Sequence, residues 1–295
     1  MMKFCDEEFV NDKARFFSDI QLWPAYRRLD PKAWLNNFNQ DEKPYAIVLL
    51  NFFCFLNSEM IDTLFYYALN NISNYYRKNP SGFTSWNSFC NSLYFTYVSG
   101  EISSPADSGY LFTRKVRDVC GINEFKILHH EQIFRMAREL NGGVLVLVDD
   151  FVGSGNQICG CLHNRLHTES LLEFCQRNGV TIIYNPIVAT VNGLQALNRY
   201  IPNLKILPVH VLDDRYSIFS SDSLCWTGEM QTKGIKIVEA ASQRAGIPMV
   251  DREDTDYWKG YHELGLAICF DHCTPDATIP LFRWDLNNWI PLIRK

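Results

Sequence analysis

Apolar residues recur at helical spacing from the start of the chain. Between Asp6 and Ile20 they fall at Phe9, Val10, Phe16, Phe17 and Ile20, which predicts an amphipathic helix. Pro31 to Phe38 fits a short helix with proline in its first turn. Tyr45 to Leu56 is apolar except at Asn51. That run is shorter than the ~20 residues a bilayer span takes, so it reads as a buried helix. Ser58 is placed to cap a further helix, Glu59 to Arg77, with Met60, Leu64, Tyr67 and Ile72 roughly on one face. Asn79, Pro80, Ser81 and Gly82 then interrupt the pattern. Residues 1–82 are therefore expected to form a helical N-terminal subdomain whose plain role is packing.

Beyond that break the periodicity alternates between two and 3.6 residues. Strands are expected at Leu93 to Val98, Glu124 to Leu128, Val144 to Val148, Val180 to Ala189, Leu204 to Leu212 and Leu264 to Phe270. Helices are expected at Tyr110 to Cys120, Glu131 to Leu140, Gln157 to Gln176 and Val191 to Tyr200. Ser99 to Gly109 is a loop rich in Ser, Gly and Pro. Strands separated by helices imply an α/β domain, residues 83–295, with a parallel sheet, right-handed crossovers and flanking helices. An aromatic and proline-rich tail closes it.

Composition narrows the class. The 295 residues are 47% hydrophobic and 21% charged, the balance of a globular chain, with a ring-rich core expected from 20 Phe and 14 Tyr. A formal charge of −5 argues against broad nucleic-acid binding, which needs a cationic surface. The ten cysteines contain no CxxC; Cys159 and Cys161 form a CxC, and Cys269 and Cys273 flank His272. No second pair has zinc spacing, and no signal peptide precedes Cys5. The thiols are expected to be reduced and mostly in the core of a cytoplasmic protein with no membrane association.

The chemistry concentrates in Gly143 to Gln157, GVLVLVDDFVGSGNQ. Val144 to Val148 suits a strand buried on both faces. It runs into Asp149 and Asp150, then into a loop, Phe151 to Asn156, where Gly153 and Gly155 flank Ser154. Glycines let backbone approach a ligand, and the N–H groups at the following helix start bind anions. Carboxylates accept hydrogen bonds from vicinal ribose hydroxyls. The combination describes a site for a ribose 5-phosphate at the carboxyl edge of the sheet; a buried strand ending in a solvated Asp-Asp turn is the plainer alternative.

VLVLVDDFVGSGN resembles the signature of the type I phosphoribosyltransferases, whose fold is Rossmann-like. The resemblance implies that Asp149 and Asp150 serve as the ribose acids and the catalytic pair. It implies that Phe151, Val152, Gly153, Ser154, Gly155, Asn156 and Gln157 hold the 5-phosphate of phosphoribosyl pyrophosphate (PRPP). Mg²⁺ would come with PRPP rather than from protein side chains. Ser108, Gly109 and Arg114 sit where that family binds pyrophosphate or a second anion, with Lys115 alongside; a solvated basic face is the alternative for these charges. Two departures stand out. Gln157 replaces the usual second Thr or Ser of the loop. Leu128 leads directly into His129 and His130, leaving no room for the family's long flexible loop. Ser217 to Gly234 is a candidate lid from elsewhere. Either histidine is a candidate base or a surface or helix-cap residue.

The C-terminal segment, GLAICFDHCTPDATIPLFRWDLNNWIPLIRK, is similar to a subgroup of phosphoribosyltransferase-like proteins proposed as effectors in bacterial conflict and anti-phage systems, including retrons. Pro275, Pro280, Trp284 and Trp289 have a structural alternative, locking the tail on the sheet. The resemblance implies PRPP or a nucleotide as ligand, and a retron reverse transcriptase with its RNA/DNA as partner. Three functions follow: phosphoribosyl transfer to a base, nucleotide or nucleic acid; nucleotide or NAD N-glycosidase chemistry with water as acceptor; or PRPP and nucleotide sensing without turnover. The pattern does not set the oligomeric state.

Overall fold

The computed structural model describes residues 6–24, 28–78, 84–99, 108–166, 168–250 and 257–294. The break expected at Asn79 to Gly82, and residues 100–107 of the Ser99 to Gly109 loop, lie outside them. The strands in chain order are β1 (Cys54–Leu56), β2 (Leu93–Tyr97), β3 (Val144–Val152), β4 (Arg165–Leu166), β5 (Glu169–Ser170), β6 (Thr181–Thr190), β7 (Lys205–Ile206), β8 (His210–Leu212) and β9 (Ile268–Phe270).

The chain divides into two compact units. One is Glu59–Leu212; the other joins Met1–Ser58 to Asp213–Lys295. The units thus cut the chain elsewhere than at residue 82. The first three helices do not pack as a body of their own, because their apolar faces find the C-terminal tail. The helix Ser58–Lys78 instead lies almost wholly in the middle unit.

The middle unit is an α/β layer built on a parallel sheet ordered β2-β3-β6-β7, with β8 also pairing β6. β3 is central. Its Val144 to Val148 pair with Leu93 to Tyr97 on one side and with Thr181 to Asn185 on the other. Burial on both faces explains the unbroken aliphatic run. Ile127 adds one parallel bridge to Phe95 on the far edge of β2. After β2 the chain therefore goes outward to Ile127, then returns past β2 to form β3. In open α/β sheets such a reversal, here at the carboxyl ends of β2 and β3, is where ligands bind. Leu145, Leu147, Ile158, Leu162, Phe174 and Tyr184 pack into one core of this unit. Phe65 and Phe112 meet edge to face, with centroids 5.5 Å apart.

Several expected elements differ in detail. Glu124 to Leu128 is a 3-10 turn, Glu124–Lys126, carrying the single bridge at Ile127. The helix expected over Glu131 to Leu140 is two, His130–Arg135 and Ala137–Leu140. The helix expected from Gln157 to Gln176 ends at His163; the β4–β5 hairpin follows, and a second helix, Leu171–Arg177, starts from a Ser170–Glu173 capping box. Leu204 to Leu212 breaks at Pro208 into β7 and β8, and the Asn185 side chain donates to the Leu207 carbonyl in the gap.

In the other unit Tyr45 to Leu56 is a helix, Lys43–Phe52, followed by β1, which pairs parallel with β9. The Leu281 carbonyl accepts the indole N–H of both Trp34 and Trp289. Trp284 donates to the Ala245 carbonyl, and Leu29 bridges Ile293. Trp289 and the Leu281 carbonyl thus tie the tail to the N-terminal helices, while Trp284 ties it to the helix Met230–Ala245. Among the described residues no helix is long and apolar enough to cross a membrane.

Candidate functional site

β3 continues as strand beyond the aliphatic run, through both acids to Val152, so the loop is shorter than Phe151 to Asn156. Successive side chains of a strand point to opposite faces, yet the two carboxyl groups stay within hydrogen-bonding reach of one another. Asp149 shares the face of Leu147 and Tyr184, neighbours in the register. The Tyr184 hydroxyl donates to Asp149 Oδ2 at 2.7 Å, and the Asp150 N–H donates to Asp149 Oδ1 at 3.0 Å. Both Asp149 oxygens are therefore engaged. Burial, with the Asp150 charge as the next cause, pushes the Asp149 carboxyl well above the usual carboxylate range. Asp150 is 6% exposed, and its Oδ1 accepts the Phe151 N–H at 2.8 Å.

The loop is Gly153 to Gly155. Gly155 adopts φ +84°, ψ −1°, a left-handed turn that strains any residue with a Cβ. It occupies the N-cap of the helix Asn156–His163 and offers no side-chain cap of its own; helix starts favour anions, although here the Asn156 N–H is already taken by Ser154. Ser154 Oγ turns inward to accept the Asn156 N–H at 3.3 Å. Asn156 and Gln157 are exposed on the first turn.

This loop rests on residues the sequence reading did not single out. Thr190 ends β6 and caps the helix Val191–Tyr200. Its Oγ1 donates to the Gly153 carbonyl at 2.5 Å and accepts the Gly193 N–H at 3.0 Å. A Cβ on Gly193 would collide with the Gly153 carbonyl, and one on Gly155 would lie 3.1 Å from Leu197 Cγ. Thr190 carried a usable signal, an N-cap residue directly after an apolar strand. Tyr184 carried none, since it sits inside an aliphatic strand.

The second candidate group is split. Ser108 and Gly109 open the helix Ser108–Asp118 beside the end of β2; a Cβ on Gly109 would lie 2.8 Å from the Val98 carbonyl. Arg114 is exposed farther along that helix, and its charge is felt by Asp118. Lys115 is paired with Asp62. His129 takes the N-cap of the next helix, its N–H bonded to Gln132 at 2.9 Å. His130 is buried, stacked on Tyr97 with centroids 4.8 Å apart and bonded through Nε2 to the Tyr97 carbonyl. Burial lowers its pKa; a carbonyl can only accept, so Nε2–H is the donor in that bond. Ser217 to Gly234 is not built as a lid. Ile218 and Trp226 are buried in the core of their own unit, and the Trp226 indole donates to the Ile218 carbonyl at 2.7 Å. The nine described cysteines are free thiols.

A parallel sheet that reverses beside a strand ending in two acids, with a left-handed glycine turn into a helix, defines a phosphoribosyltransferase-like protein. The chain belongs to the PRTase-CE family, whose family model matches residues 31–295. A solved structure of the AQ2163 protein from Aquifex aeolicus is similar at 13% identity and a TM-score of 0.30, over 62% of this chain and 84% of that one; so low a score adds nothing to the fold described above. No curated protein matches the chain.

Proposed function

We propose that the chain binds PRPP or a nucleotide through Asp150 and the Gly153–Gly155 loop and transfers the phosphoribosyl group to an acceptor, as a cytoplasmic effector of anti-phage defence, in a retron with a reverse transcriptase and its RNA/DNA as partners. The observation that carries the binding reading is the continuity of β3, acid pair, left-handed Gly155 and the helix start at Asn156, beside the sheet reversal. The 5-phosphate lies against the N–H groups of the loop and of the first helical turn. Asp150 accepts the ribose hydroxyls. Asp149, with both oxygens engaged, holds the backbone at Asp150 rather than touching the sugar.

As the bond from the anomeric carbon to pyrophosphate breaks, positive charge grows on the ribose. A carboxylate fixed in a water-poor site stabilises it by ~3 kcal/mol. Mg²⁺ would enter with PRPP, with no protein side chain assigned to hold it. When bound it supplies charge neutralisation to the departing pyrophosphate.

A second reading, binding without turnover, draws support from the same burial. An acid pair in which Asp149 resists ionisation offers less charge to a cationic transition state. Titration calorimetry with PRPP and Mg²⁺, ribose 5-phosphate, NAD and nucleotides, with product chromatography on the same mixtures, tests both. Turnover of PRPP that depends on an added base or nucleotide acceptor supports transfer, release of free base from NAD or nucleotides supports N-glycosidase chemistry with water as acceptor, and heat without product supports sensing. No heat from any of these ligands removes the binding reading altogether.

A further inference from the structure

Thr190 is buried at the junction of β6 with the following helix, and its hydroxyl has one proton to give. That proton goes to the Gly153 carbonyl, while the same oxygen accepts the Gly193 N–H. Gly193 has no room for a Cβ against that carbonyl, so the helix start is pressed directly onto the loop. In a planar trans peptide the C=O and the following N–H point in opposite directions. Fixing the Gly153 carbonyl toward Thr190 therefore fixes the Ser154 N–H away from it. Glycine at 153 would otherwise leave this peptide free to rotate.

We infer that Thr190 is a positioning residue that holds the Gly153–Ser154 peptide in one orientation, so that the Ser154 N–H faces a bound phosphate. A flipped peptide would present the Gly153 carbonyl to the phosphate instead, replacing an attraction by a repulsion. The inference rests on the reading of this loop as a phosphate site. It adds a residue from a different strand, one whose role is orientation and not contact.

The test compares Thr190→Val, which keeps the shape and loses the hydroxyl, with Thr190→Ser, which keeps the hydroxyl. Ribose 5-phosphate affinity is read by calorimetry, and hydrogen exchange of the Ser154 amide by NMR. Thr190→Val should bind ribose 5-phosphate about tenfold more weakly or worse, the scale of one lost hydrogen bond to a charged group. Its Ser154 amide should exchange at a changed rate, and Thr190→Ser should restore both. Should Thr190→Val fail to fold, Thr190→Ala makes the same comparison without the added methyl. A folded hydroxyl-less variant with wild-type affinity overturns the inference while leaving the phosphate site standing. If the wild-type protein itself ignores ribose 5-phosphate and PRPP, the phosphate reading falls. Unchanged Ser154 exchange in the hydroxyl-less variant then shows that the clamp does not orient the peptide either.

Discussion

Tyr184→Phe removes one oxygen and leaves the ring in place, which makes it the sharpest probe of the acid pair. The Tyr184 hydroxyl is wholly buried, and burial first, then the Asp149 charge, pushes its pKa well up. It therefore keeps its proton and donates to Asp149 Oδ2 at 2.7 Å. Without it, a buried carboxyl oxygen has lost its partner, a change that costs about 1–3 kcal/mol. At ~2 kcal/mol, a domain of this size should melt about 4–8 °C lower. The pH dependence adds a sign. The bond favours the ionised carboxyl, so its loss raises the folded pKa of Asp149 further above the unfolded value. A raised folded pKa gives stability that is lost as pH rises through it. The variant should thus fall further behind wild type at about pH 9 than at about pH 5. Urea denaturation across that range is the assay. Equal stability of the two proteins at both ends would refute the account of a donor-dependent buried acid.

Further outcomes follow from the same geometry. Asp149→Asn cannot ionise, and it should melt at least as high as wild type above neutral pH while losing the decline of stability with rising pH; thermal scans in a buffer series check this. Asp150→Asn should stay folded and still bind PRPP, but lose roughly a hundredfold in single-turnover rate, and in cells it should relieve the growth defect expected when the active protein is expressed alone. Equal growth defects with and without Asp150 would separate toxicity from this site. Gly155→Val meets Leu197 and forces a β-branched residue to φ +84°, so a lower melting temperature should accompany any loss of ligand affinity, and a variant as stable as wild type would contradict the left-handed turn.

The sheet and the acid pair were legible because their signals are local. An aliphatic run that ends in two carboxylates and a glycine pair says strand, then turn, then helix without help from distant residues. The helix from Val191 to Tyr200 was legible to its ends for the same reason. What the pattern hid depends on partners far away in sequence. Asp149 looks like a twin of Asp150 until the register brings Tyr184 beside Leu147. Cys54 to Leu56 looks like the end of an apolar helix until β9 offers it hydrogen bonds. The long helix expected after the loop ignored the β4–β5 hairpin because its apolar residues keep helical spacing on both sides of it.

One unit is assembled from both ends of the chain, Met1–Ser58 with Asp213–Lys295. This imposes an order on synthesis. The first helices leave the ribosome with Trp34, Phe38 and Phe53 uncovered, and their cover includes Phe282, Trp289 and Leu292. Between the two halves runs the stretch from Glu59 to Leu212, on the order of 150 residues, which takes about 8–30 s at translation rates of ~5–20 residues per second. During that interval the middle unit has its own strands and core at hand and can finish first. The segment made before the middle unit waits through that interval, as an aromatic surface available to chaperones, and it closes only when Trp289 has been made.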